Sequence, residues 1–138
     1  MAEALILDAE ALNALARARQ RPVLAERARA ILHVARDEGA VVRVPAPVLA
    51  EVCRRGPIDA PVDWLLNGHG IVVVDLTAST ARRAGALLAR AKLGSSHAVD
   101  AFVVATALEF GSAVIATGDP DDLRRLSSGF RRLRIFAI

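Results

Sequence analysis

The sequence predicts a single α/β domain with a central parallel sheet of about four to five strands and helices on both faces. Three observations carry that expectation. Short β-rich runs alternate with long Ala/Leu/Arg segments at helical spacing. The first run is continuously apolar, as a strand covered on both faces must be. The length of 138 residues suits one core, so residues 1–138 are read as one domain without repeat, low-complexity tract or linker.

Each element follows from local chemistry. Ala4 to Asp8 (ALILD) reads as the first strand, and a helical stretch comes after it. Pro22 opens a second helix running to about Glu38, with Gly39 as its stop. Val41 to Val44 is a short second strand. Pro47 sits in the first turn of the next helix, which carries Leu49, Glu51 and Val52 and ends by Gly56-Pro57. Asp59 is placed to cap a short helix through Trp64 and Leu66, closed by Asn67-Gly68. Ile71 to Asp75 (IVVVD) is the clearest strand. Thr77 or Ser79 caps a helix that runs to Lys92, and Gly94-Ser95-Ser96 restarts the chain as a helix from Ala98 to Phe110, ended by Gly111. Ala113 to Thr117 (AVIAT) is a fourth strand, Pro120 to Leu126 a short helix, and Arg134 to Ile138 a final strand.

Composition narrows the class. Hydrophobic residues make up 54%, a total inflated by alanine, and no run approaches the roughly 18 apolar residues of a membrane span. The N-terminus is acidic and has no basic stretch, so it does not read as a secretory signal. The single Cys53 excludes an internal disulfide and fits a reducing cytoplasm. One Cys and three scattered His do not make a structural zinc site. Lys92 is the only lysine among 18 basic residues. Arginine forks suit phosphate, which points to nucleic acid, although a net charge of +3 is modest and arginine-favouring codon usage would give the same bias.

In an open α/β sheet, chemistry is expected beyond the carboxyl ends of the strands. Asp8 ends the first strand and Asp119 follows the fourth by two residues. Glu51 lies in the helix entered from the second strand, and Asp100 in the first turn or so of the helix beginning near Ser96. Four of 15 acids therefore map to one rim. Each has a structural reading too: Asp8 could cap the next helix, and Asp100 could answer its helix dipole, worth about 0.3–1 kcal/mol. Both acids interrupt apolar runs, where a carboxylate is costly unless paired or metal-bound. Carboxylates without His or Cys are hard oxygen ligands, suited to Mg²⁺ or Mn²⁺. Such an ion binds phosphate oxygens, lowers the pKa of a water and stabilises a departing oxyanion.

With LILDAEAL around Asp8, PVLAEV around Glu51, AVDAFVVATAL around Asp100 and ATGDPDDL around Asp119, the chain resembles the PIN-domain family along essentially its whole length, in particular VapC-type toxins of bacterial toxin–antitoxin pairs. The resemblance implies a Mg²⁺-dependent ribonuclease acting on RNA, usually a homodimer, inhibited by a cognate antitoxin. It implies that Asp8, Asp100 and Asp119 hold the metal, with Glu51 a further ligand or water-orienting base. Thr117 matches the small hydroxyl two residues before the fourth acid, and Asp122 the acid three residues after it. Glu10 departs from the small polar residue common at that position. It either adds a fifth carboxylate at the mouth or points into solvent, the latter being favoured. Asp121 reads as a helix N-terminal residue.

His97, three residues before Asp100, reads as a partly exposed capping residue, with a general acid or RNA contact as the sharper alternative. Cys53 reads as a small buried residue, and Trp64 as a core anchor in preference to a docking surface. Of the arginine groups, Arg17, Arg19, Arg54 and Arg55 are nearest the acidic rim and best placed to grip RNA phosphates, while Arg131, Arg132 and Arg134 read as solvated. A haloacid-dehalogenase-type phosphatase would need a second Asp where Glu10 stands, and a receiver domain would need a late-strand lysine that Lys92 does not supply. A nuclease of RNA maturation, or a PIN fold that only binds RNA or a partner, are the alternatives.

Overall fold

The four residues Ala4–Leu7, apolar throughout and buried at every position, form strand β1, from which the rest of the sheet extends on either side. The computed structural model describes residues 2–138. β1 pairs in parallel with β2 (Val41–Pro45) on one side and with β4 (Ala113–Thr117) on the other. β3 (Ile71–Val74) adds beyond β2 and β5 (Leu133–Ala137) beyond β4, giving the parallel order β3-β2-β1-β4-β5. The chain thus builds outward from β1 to β3, then crosses the sheet to β4. The loops leaving β1 and β4 diverge at this switch point and open a crevice at the carboxyl ends of the strands.

Two groups of helices cover the sheet. α1 (Ala9–Ala16) packs against α2 (Pro22–Asp37), α3 (Val48–Val52) and α4 (Ala60–Leu66), while α5 (Ala78–Ala91), α6 (Ala98–Ala107) and α7 (Pro120–Ser127) pack on one another. Leu5 and Val114, side by side in the register, meet Ile31, Val34 and Ala35 of α2. Arg43 has the opposite parity, and its guanidinium lies 3.8 Å from the centre of the Phe110 ring, just beyond α6. Alternate residues of a strand face opposite sides, so α2 and α6 lie on opposite faces. Leu5, Ile6, Leu7, Leu12, Ile115, Leu123 and Leu126 are the largest fully buried side chains and draw on both layers.

Several boundaries differ from expectation for physical reasons. Asp8 is not the last strand residue; its extended backbone (φ −81°, ψ −176°) makes it the N-cap of α1. α6 stops at Ala107, because Glu109 and Phe110 turn back to carbonyls three residues earlier. Gly56–Asp59 forms a 3-10 turn that the sequence reading did not foresee. Asp59 holds the position before α4 but does not cap it. Its carboxylate instead accepts the N–H groups of Arg54 (2.8 Å) and Arg55 (2.7 Å). Those bonds hold Arg55 at φ +77°, a left-handed conformation that a side chain with a Cβ adopts only under constraint.

Trp64 is not a core anchor. It is 65% exposed and packs its ring on His69 at 3.9 Å between centroids. α4 has only seven residues and turns Val62 and Leu65 inward, which leaves Trp64 on the outer side. No helix among the described residues is long and apolar enough to cross a membrane.

Leu12 is fully buried on α1, one turn beyond the cap at Asp8. Leu12→Ala should cost about 2–5 kcal/mol, read as a lower midpoint in urea unfolding with the fold retained. A loss below about 1 kcal/mol would show that α1 is not seated in the core in this way.

Candidate active site

The crevice at the switch point is built by the ends of two strands and the first turns of two helices. β1 runs directly into Asp8, whose Oδ1 accepts the Ala11 N–H at 2.9 Å and so starts α1. β4 runs into Thr117, Gly118 and Asp119. Thr117 is fully buried, and its hydroxyl serves both acids: it accepts the Asp119 N–H at 3.0 Å and donates to the Asp8 carboxylate. α6 delivers Asp100 from its first turn, and α3 delivers Glu51. Asp8, Glu10, Glu51, Asp100 and Asp119 line one cleft of about 190 Å³, together with Ala9, Val99 and Val103. The topology therefore brings together all four principal acids read from the sequence.

Glu10 joins them. A Cβ at position 118 would collide with the Glu10 carboxylate, so that side chain lies folded over Gly118 toward the cleft. The expectation that it points into solvent does not hold; the glycine between Thr117 and Asp119 leaves the space it occupies. Asp122 sits outside the lining, where its Oδ2 meets His97 Nε2 at 3.1 Å and its Oδ1 stands 4.0 Å from Arg125. The sequence put His97 on the face of Asp100. Its Asp122 partner, 25 positions away across two elements, had no signal in spacing.

Electrostatics mark the centre of the cleft. Burial, reinforced by the charges of Glu10 and Asp100, pushes the Asp8 carboxyl up to about 6 despite the Thr117 and Ala11 hydrogen bonds. Burial also raises the Asp100 carboxyl, helped by repulsion from Asp122, Glu51 and Asp119 and opposed by His97. Asp100 thus feels the negative charge of three neighbours. No arginine lines the cleft. Among the described residues, no three His, Cys, Asp or Glu side chains already converge as the ligands of one ion would. The donor set is all oxygen, and it suits a hard divalent cation on chemical grounds: the cation would remove the repulsion that these carboxylates otherwise share.

The arginines expected to grip RNA divide. Arg17 is committed inside the protein: Nη1 donates to Asn13 Oδ1 (2.7 Å) and to the Val52 carbonyl (3.3 Å), and Nη2 to the Ile58 carbonyl (2.8 Å). It also stands 3.7 Å from Asp59, whose carboxyl is held below its ordinary range, first by the Arg54 N–H. Arg17 therefore ties the end of α1 to the segment after α3, which carries Glu51. Arg54 is exposed and turns its Nη1 to the Ala50 and Cys53 carbonyls. Arg19 and Arg55 are exposed, and Arg19 lines a separate cleft with Arg29 at the end of α1. Cys53 is partly buried, which raises its thiol pKa, and no base accompanies it.

A family model described as the PIN domain matches residues 5–128. The chain belongs to the PIN domain family. A solved structure of VapBC2 from Rickettsia felis, bound to a DNA fragment from their promoter, is similar over 97% of this chain and 98% of that one, with a TM-score of 0.66 and 14% identity. At that identity the likeness speaks to the fold alone. No curated protein matches the sequence.

The burial of Asp8 sets a pH signature. A raised acid favours the folded state while protonated, so its contribution is full below the ordinary aspartate value of 3.8 and is lost as pH rises through about 6. The gap corresponds to about 3 kcal/mol at most. In chelator at neutral pH, Asp8→Asn should therefore raise stability by up to about 3 kcal/mol, because Asn retains the cap without the charge. Near pH 4 the two proteins should unfold together. Equal midpoints at neutral pH would show that the carboxylate is not desolvated.

Proposed function

We propose that this PIN domain is a Mg²⁺- or Mn²⁺-dependent endoribonuclease, and that it acts as the toxin of a toxin–antitoxin pair. The observation that carries the nuclease reading is the five-carboxylate cleft at the switch point, without a nitrogen or sulfur donor in its lining. PIN domains are generally nucleases, which agrees with that chemistry. When bound, the ion would supply Lewis acidity toward a phosphodiester oxygen and toward an attacking water.

The chain's own groups divide the remaining work. Asp8, Asp100 and Asp119 are the residues that would hold the ion, with Asp8 and Asp119 fixed relative to each other by the Thr117 hydroxyl. Glu51, exposed in the lining of the cleft, would serve as a further ligand or as the base that orients water. Glu10 adds negative charge at the mouth. Asp122, held by His97, contributes field without entering the lining. Arg19, Arg54 and Arg55 are the exposed cations on the adjoining surface for RNA phosphates, and Arg17 positions α3.

The toxin role rests on the whole-length resemblance to VapC-type proteins and on the likeness to the VapBC2 structure. It brings a cognate antitoxin and a homodimer as partners. Val23 (64% exposed) and Val34 (46%) on α2, with Ile58 in the turn before α4 and Trp64 on α4, are apolar surface such partners would cover.

Purified protein should cleave a structured RNA with Mg²⁺ or Mn²⁺ and stop in EDTA. Asp100→Asn should lower the cleavage rate by about 100-fold or more while leaving the circular dichroism spectrum unchanged. Cleavage at the wild-type rate would remove Asp100 from the site. Divalent metal should also raise the wild-type unfolding midpoint, and raise that of Asp100→Asn much less. For the toxin role, induction in a bacterial host should arrest growth, and the Asp100→Asn chain should not. Normal growth with active enzyme present would assign it a housekeeping role.

A further inference from the structure

At the amino-terminal edge of the sheet, opposite the carboxylates, lies a larger cleft of about 340 Å³. It is floored by Ala113 and Val114, the first residues of β4, and walled by Arg131, Arg132 and Arg134, with Glu38 at its margin. Three arginines against one glutamate leave the cleft basic. Arg132 is fixed there by donating to the Leu108 carbonyl at 2.8 Å. Arg131 and Arg134 are exposed, and their guanidinium groups have no hydrogen bond or ion pair among the described residues. Two unpaired guanidinium groups beside an anchored third, around a concavity, suit an anion with several oxygens, and phosphate matches their fork geometry.

The edge strand β5 connects this cleft to the other end of the sheet. Arg134 and Phe136 are two residues apart and share one face. Arg134 pairs with Val114 and Phe136 with Ala116, the residue before Thr117. Phe136 is 38% exposed, an aromatic surface on the same face of the edge strand, toward its carboxyl end. The path follows a strand of five residues, about 16 Å. A basic groove with an exposed ring along it is how proteins track a flexible single strand.

We propose that the cleft of Arg131, Arg132 and Arg134 is a second footing for the RNA strand, holding its phosphodiester groups a few nucleotides from the carboxylate crevice, with Phe136 as a stacking surface between them. The proposal rests on the reading of this chain as a ribonuclease. It is tested by binding, which does not require cleavage.

Fluorescence anisotropy in EDTA compares labelled single-stranded RNA of about 2 and about 14 nucleotides, the shorter too small to span the strand. The double variant Arg131→Gln/Arg134→Gln keeps Arg132 and its structural hydrogen bond. It should unfold at the wild-type temperature and bind the longer RNA roughly 10-fold more weakly. Its salt dependence should flatten by about 1.4 in log–log slope, 0.7 for each charge removed. Arg131→Gln alone, which leaves β5 untouched, should show about half that slope change. Phe136→Ala should weaken the longer RNA by roughly 10-fold as well. The shorter RNA, held at the arginine cleft alone, should weaken with the arginine variants and keep its affinity in Phe136→Ala. Unchanged affinity and slope for the longer RNA in the arginine variants, or an equal loss for both lengths in Phe136→Ala, would overturn the proposal. So would inorganic phosphate or an acidic polypeptide occupying the cleft in preference to RNA, the latter assigning it to a protein partner. Length-dependent binding without metal-dependent cleavage would refute the nuclease reading and leave the footing intact; cleavage without length dependence would do the reverse.

Discussion

Everything at the carboxyl edge depends on Asp8 staying buried with its hydrogen bonds intact. The residue is only 6% exposed, yet it stands where an apolar strand must turn into a helix. One carboxylate oxygen starts α1 through the Ala11 N–H, and the Thr117 hydroxyl donates to the same group from the neighbouring strand. Because Thr117 also receives the Asp119 N–H, a single hydroxyl sets the separation of two acids that enter the site from different strands. These bonds offset part of the desolvation that raises Asp8. The fully apolar β1 and the leucines beneath α1 supply the burial that lets the strained charge persist.

The opposite wall is held by a different device. α3 has only five residues, too short to stand by itself, and it carries Glu51. Arg17 reaches from the end of α1 to carbonyls on both sides of the following turn, and Asp59 gathers two backbone N–H groups inside that turn. The left-handed backbone at Arg55 is what this arrangement requires in return. A cation and an anion that look like surface residues thus hold the reach of Glu51 across the cleft.

The sequence was most legible where one physical signal dominated. Apolar runs identified all five strands to within a residue at most ends, and the positions of Asp8 and Asp119 at strand ends placed them on the correct rim. Pro22, Gly39 and the Thr77 cap marked their helix boundaries for local steric and hydrogen-bonding reasons. What stayed hidden depends on direction in space. Trp64 has the composition of a core residue, and only the register of a seven-residue helix turns it outward. Glu10 faces the cleft because of a glycine more than a hundred positions away. Arg17 looks like any cation in an arginine-rich stretch until the 3-10 turn brings carbonyls to it. Pairing of His97 with Asp122 requires the packing of α6 on α7, which no local pattern encodes.

The crossover that creates the crevice also fixes when it can exist. β1 finds its partner β4 across 109 positions, Ala4 with Ala113, and Asp119 comes later still. A chain emerging from the ribosome can lay down β1, β2 and β3 early, but the seat for Asp8 is unfinished until Thr117 arrives. Contacts of such long span close slowly. Every chain that ends before Asp119 therefore lacks the complete acidic centre.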